Sequence, residues 1–185
     1  MIPEKIISEA KKHIEESSQK KDTDYFCITR DIFQARLDSF IFKSQKYIES
    51  ALIGEIGNNT FDHNWKFSEN KMRGAYLNLS FQEKYVVLAD FGRGIKESLS
   101  SVIKLTSDVE AVETGFTKQI SGRLPEQRGN GLKFVAETVK SKKWKLYFQT
   151  GNGYCSIEDG NISFSQADDY YTGCLAILDF SEELS

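Results

Sequence analysis

The sequence predicts an α+β fold, a two-layer sandwich whose mixed, largely antiparallel sheet carries helices on one face. Three observations predict it. Apolar residues recur at helical spacing through the first third of the chain. At Ala75 the period shortens to two. The C-terminal part then reads as a series of short apolar strands separated by glycine-bearing turns. Helices followed by antiparallel strands are what such a sandwich requires.

Pro3 stands where a first helical turn tolerates it, and Ile6, Ile7, Ala10 and Ile14 follow at helical spacing up to the polar run Ser17-Ser18-Gln19-Lys20-Lys21. Residues 25–29 suit a strand. Asp31 begins a second helix through Phe42, and Ser44 caps a longer one carrying Tyr47, Ile48, Leu52, Glu55 and Ile56. Tyr76, Leu77, Leu79 and Phe81, then residues 85–88, form two strands joined around Gln82-Glu83-Lys84. Residues 95–128 mix short helical stretches with Gly115, Gly122 and Pro125, the make-up of a mobile connection. Helical spacing resumes over residues 132–140. Residues 144–149, 154–157, 162–164 and 175–180 are expected as closing strands, with turns at Gly151-Asn152-Gly153 and Asp159-Gly160-Asn161.

At 185 residues the chain fits one domain. Residues 44–180 form its main part, and the helices and strand of residues 1–43 belong to that domain or are appended to it. A hydrophobic share of 39% and a charged share of 28% are ordinary for a globular protein. The net charge of −3, with no long basic run, argues against duplex nucleic acid as the main partner. Cys27, Cys155 and Cys174 are too few and too scattered for a disulfide framework, and no Cys-x-x-Cys pair suggests zinc. With no signal-like apolar start and no run of membrane-spanning length, the expected location is cytoplasmic.

Three segments carry chemistry. In Gly54-Glu55-Ile56-Gly57-Asn58-Asn59-Thr60-Phe61-Asp62-His63, the residues Glu55, Asn59 and His63 are successively four apart and share one helix face, with Asn58 beside them. The Asn59 side-chain oxygen is a plausible neutral ligand for magnesium, an oxygen-seeking ion that keeps several waters. Glu55 could position or deprotonate an attacking water or hydroxyl if burial tuned it for that task. Gly54 and Gly57 each cost roughly 1 kcal/mol in a helix relative to alanine, so something is expected to pack closely there.

In the second segment an apolar run, Val86-Val87-Leu88-Ala89, delivers Asp90, after which Gly92 and Gly94 allow turns and close approach of a ligand. An ionised Asp only accepts hydrogen bonds. It suits the exocyclic amine of adenine and opposes the carbonyl of guanine. Asp90-Phe91-Gly92 also occurs in protein kinases, but no His-Arg-Asp loop is present. A dinucleotide fingerprint fails because Glu97 replaces its third glycine, and no Gly-x-x-x-x-Gly-Lys-Ser/Thr loop occurs. In the third segment, Gly129-Asn130-Gly131-Leu132 opens a helix whose N–H groups and dipole can meet phosphate, with Arg128 and Lys133 adding charge.

The order of these segments, over residues 44–180, resembles the GHKL superfamily of Bergerat-fold ATPases, which includes histidine kinases and the anti-sigma-factor serine kinases. The resemblance implies that ATP and Mg²⁺ are the cofactors, that Glu55 is catalytic and that Asn59 is the metal ligand. It implies that Asp90, Gly92, Gly94 and Ile95 bind the base, and that Arg128, Gly129, Asn130, Gly131 and Leu132 hold phosphate with Asn58, Asn59 and His63. Residues 95–128 would form a nucleotide lid, in which Gly115-Phe116-Thr117-Lys118 is similar to a segment of the anti-sigma kinases. Thr117, Lys118 and Arg123 are candidates for sensing the terminal phosphate. The closing-strand threonine of relatives is left to either Thr172 or Cys174.

The kinase branch with a phosphoacceptor histidine does not fit, since His13 lies on a single short helix and is expected at the surface. Two functional expectations stand beside that of an interaction module with structural glycine turns. One is an ATPase or serine/threonine-type kinase acting on water or a partner protein. The other is an ATP-gated protein-binding switch without appreciable turnover.

Overall fold

The computed structural model describes residues 1–63, 71–118 and 130–181, the side chain of His63 excepted. In chain order it forms α1 (Glu4–Gln19), β1 (Phe26–Cys27), α2 (Arg30–Ser44), α3 (Tyr47–His63), β2 (Ala75–Phe81), β3 (Tyr85–Asp90) and α4 (Gly94–Leu99). There follow α5 (Asp108–Thr117), α6 (Gly131–Ser141), β4 (Lys145–Glu158) and β5 (Asn161–Asp179). The strands hydrogen-bond in the order β1-β2-β3-β5-β4, and each of these pairings is antiparallel. The expected α+β sandwich is the observed one.

Local chemistry sets the helix ends. Thr29 caps α2 by accepting the Ile32 amide, and Ser107 caps α5 by accepting the Glu110 amide at 3.0 Å. Ser44, expected to start α3, instead ends α2. Its hydroxyl donates to Phe40 O at 2.7 Å, and Gln45 turns the chain at φ 57°. The β2–β3 hairpin turns where expected, with Gln82 and Glu83 both at positive φ.

Along β3 the side chains alternate between two cores, which is why the whole strand is buried. Val86 and Leu88 face Phe33, Leu52, Val112 and Val135 from the helices α2, α3, α5 and α6. Val87 and Ala89 face the opposite way, toward Ile6, Ala10 and Ile14 of α1. The main helical layer therefore lies on one face as expected, and α1 adds cover to the other. Lys11 of α1 holds Asp169 of β5 at 2.8 Å. His13, expected at the surface, is half-buried, with Nδ1 2.8 Å from the Tyr76 hydroxyl and its ring edge-on to Tyr25.

One further expectation is corrected. Gly151-Asn152-Gly153 is no turn, because β4 runs through it with a register shift and β5 is one continuous strand. These glycines are needed for packing. A Cβ at Gly151 would collide with the Asp108 carboxylate, and Asp108 Oδ2 accepts the Asn152 amide at 3.1 Å. Over its described part the connection after Asp90 carries α4 and α5. In α5, Ala111, Val112 and Phe116 are buried, and Phe116 meets Phe148 edge-on at 5.2 Å.

Candidate functional site

Asp90 ends β3 with its carboxylate 3% exposed. Its Oδ1 accepts the Gly92 amide at 2.8 Å and its Oδ2 the Thr60 hydroxyl at 3.1 Å, so the strand is tied to α3. Register puts Asp90 opposite Cys174 of β5, and Cys174 opposite Thr150 of β4. Cys174 is thus the closing-strand residue beside Asp90, whereas Thr172 is exposed. Gly173, at φ +89°, lets β5 come this close, since a Cβ there would collide with the Asp90 carbonyl. Burial and the nearby Asp90 charge raise the Cys174 thiol well above its ordinary value against an opposing hydrogen bond with Thr150.

Glu55 is exposed on α3, and its carboxylate lies against the start of α6. A Cβ at Gly131 would sit 2.5 Å from Glu55 Oε2, so only glycine fits there without moving that side chain. The burial on which a tuned Glu55 depended is absent. Asn58 and Asn59 are half-buried along the same helix. The close packing expected at the helix glycines is present, for a Cβ on Gly57 would enter the Phe33 ring.

The second and third segments meet through α5. Gly115 lies where a Cβ would be 3.4 Å from Ile95 and 3.5 Å from Leu132, and the Ile95 amide donates to Thr150 Oγ1 at 3.2 Å. Three segments far apart in sequence therefore converge: α3 meets β3 through Thr60 and Asp90 and α6 through Glu55 and Gly131, while α4 and α6 both pack on α5. Gly92 is buried in the turn after Asp90, and Gly94 opens α4 at φ +74°.

Thr117 and Lys118 end α5 exposed, and the Thr117 hydroxyl donates to Glu113 O at 2.6 Å. Asn130 is exposed at the start of α6 and makes no side-chain cap there. Arg123, Arg128, Gly129 and the His63 side chain lie outside the described residues.

Thr60 and Thr150 are site residues that the sequence reading passed over. Thr60 had a signal, since it follows Ile56 by one helical turn on the buried face. Thr150 had one too, as the last polar residue of an apolar strand before a glycine. Among the described residues no group of three or more His, Cys, Asp or Glu could hold a metal. Asn59 with Glu55 one turn away is a sparse oxygen set. It fits an ion such as Mg²⁺ that takes most ligands from phosphate and water. No protein-family model and no curated protein matches the chain.

Proposed function

We propose that this chain is an ATP-binding domain of the histidine-kinase-like ATPase class, which hydrolyses ATP or transfers its terminal phosphate to a partner protein. The observation that carries the reading is the convergence of the three segments, two of them meeting the third directly on α3. A helix face with Glu55 and Asn59, the Asp90 turn and the start of α6 have no need to converge if each is an ordinary surface feature. Asp90 is the adenine acceptor, with its orientation fixed by the Thr60 hydroxyl and the Gly92 amide. The N–H groups opening α6 are the phosphate donors. Glu55, exposed beside the start of α6, would position the attacking water or hydroxyl, and Asn59 would give one ligand to Mg²⁺, which would screen phosphate charge.

A second reading, an ATP-gated protein-binding switch without turnover, has its own support. α5 packs against both α4 and α6, so a ligand held between Ile95 and Leu132 would be felt by α5. Calorimetric titration of MgATP and MgADP, with GTP and Asp90→Asn as controls, tests binding. Saturable adenine-selective heat that weakens in Asp90→Asn supports both readings, and no heat at millimolar nucleotide ends both. Glu55→Ala then divides them: lost turnover with retained binding marks the enzyme, and unchanged turnover removes Glu55 from the reaction.

A further inference from the structure

Beyond the Asp90 turn, on the side away from α3, lies a cleft of about 690 Å³. That is within the range of small-molecule sites, roughly 300–1,000 Å³. Arg93, Lys96 and Lys104 line it, and Tyr170, Ile103 and Leu105 supply apolar wall. No residue of α3 or α6 lines it; Gly92 and Thr150 border both it and the junction, whereas Arg93, Lys96, Lys104 and Tyr170 belong to the cleft alone.

The charges favour an anion. Arg93 uses Nε on Ser98 Oγ at 3.1 Å, and Lys96 donates to Thr106 O at 3.2 Å. A guanidinium carries five N–H donors and an ammonium three, so these contacts fix the cations without exhausting them. Two acids, Glu97 and Asp108, also line the cleft. Asp108 is committed to the Asn152 amide at 3.1 Å, and Glu97 is exposed. Three cations face two acids, one of which is occupied by backbone. Tyr170, 71% exposed, presents a large ring that neither core takes up.

We infer that this cleft binds a small organic anion with a planar ring, the ring against Tyr170 and the anionic group among Arg93, Lys96 and Lys104. Its wall includes Gly92 and Gly173, both in contact with Asp90. The inference adjoins the proposed nucleotide site but uses side chains that the nucleotide reading does not, Lys104 and Tyr170 above all.

The test is fluorescence titration of the full chain with 8-anilino-1-naphthalenesulfonate, with no nucleotide present, alongside neutral N-phenyl-1-naphthylamine. The expected result is saturable binding of the sulfonate to one site, weakened by added salt and about tenfold tighter than the neutral probe. Lys104→Glu should weaken it by about tenfold or more, and Tyr170→Ala several-fold. Both side chains are exposed, so these variants fold, and Lys96→Glu serves as a third. Equal affinity in Lys104→Glu and Tyr170→Ala, equal affinity for the two probes, or no saturable binding would each overturn the proposal. Because nucleotide is absent, failure here and failure of ATP binding are separate results.

Discussion

The Thr60 hydroxyl donates to Asp90 Oδ2 at 3.1 Å across thirty positions of sequence, and both side chains are buried. One hydrogen bond thereby fixes the distance between α3 and the end of β3. Thr60→Val keeps the shape and removes the donor. It should destabilise the fold by about 1–3 kcal/mol, since a buried acceptor loses a partner. Thr60→Ser should recover most of that loss. Urea unfolding measures both, and a Val variant as stable as the parent would show that the bond contributes little.

The approach of α6 to α3 depends on a missing side chain. Gly131→Ala puts a methyl 2.5 Å from Glu55 Oε2. Glu55 is exposed and flexible, so it can swing aside, and stability should fall by less than about 1 kcal/mol. Gly57→Ala instead drives a methyl into the buried Phe33 ring and should cost about 1–3 kcal/mol. Parallel urea titrations should therefore rank the two variants, with Gly57→Ala the less stable.

Acid should loosen α1. Lys11 holds the Asp169 carboxyl below its ordinary 3.8 despite some burial, and Lys71 holds Glu15 below its ordinary 4.5 in the same way. Both folded values are depressed, so the stabilisation is complete above the ordinary values and is lost as pH falls through the lowered ones. Urea midpoints between about pH 5 and pH 2 should fall more steeply for the parent than for a Lys11→Met, Lys71→Met double variant. Equal slopes would remove these pairs as the cause. The groups are substantially exposed, and added salt should shrink the difference.

The thiols should be slow to react. Burial pushes Cys155 up to about 12 and also raises Cys27, where Arg36 opposes the shift. Cys174 is raised by burial and by Asp90. With a neutral disulfide reagent at about pH 8, all three should label at least about tenfold more slowly in the native protein than in urea. Mass spectrometry resolves the sites, and bound nucleotide should slow Cys174 further because it neighbours Asp90. Rapid native labelling of Cys155 would contradict its placement in the core.

Much of this architecture was legible from period alone. The stripe Ile6, Ala10, Ile14 reports directly which side chains of α1 are buried, and the change of period at Ala75 marks where the long strands begin. A stripe does not say which surface covers it. The partners of α1 include Tyr171, Leu175 and Ile177, at the far end of the chain, so its position across the second face could not be read locally. Gly151 misled for a related reason: the residue that demands it, Asp108, belongs to another element. In the candidate site, Glu55, Asp90 and Gly131 were visible as chemistry-bearing types in glycine-rich surroundings. Thr60 and Thr150 carry ordinary hydroxyls whose importance arises only from the neighbours the fold supplies.

The strand order has a consequence for how the chain is made. β5 is synthesised after β3 and β4 but lies between them. Until it emerges from the ribosome, β3 and β4 each present an unpaired, largely apolar edge to whatever is nearby. Nascent chains held at that stage should be more prone to aggregation and more dependent on chaperones than the finished molecule. Arrival of β5 would convert two sticky edges into the sheet interior in one step and complete the seat of α1, so α1, translated before every strand of the sheet, is among the last elements to dock.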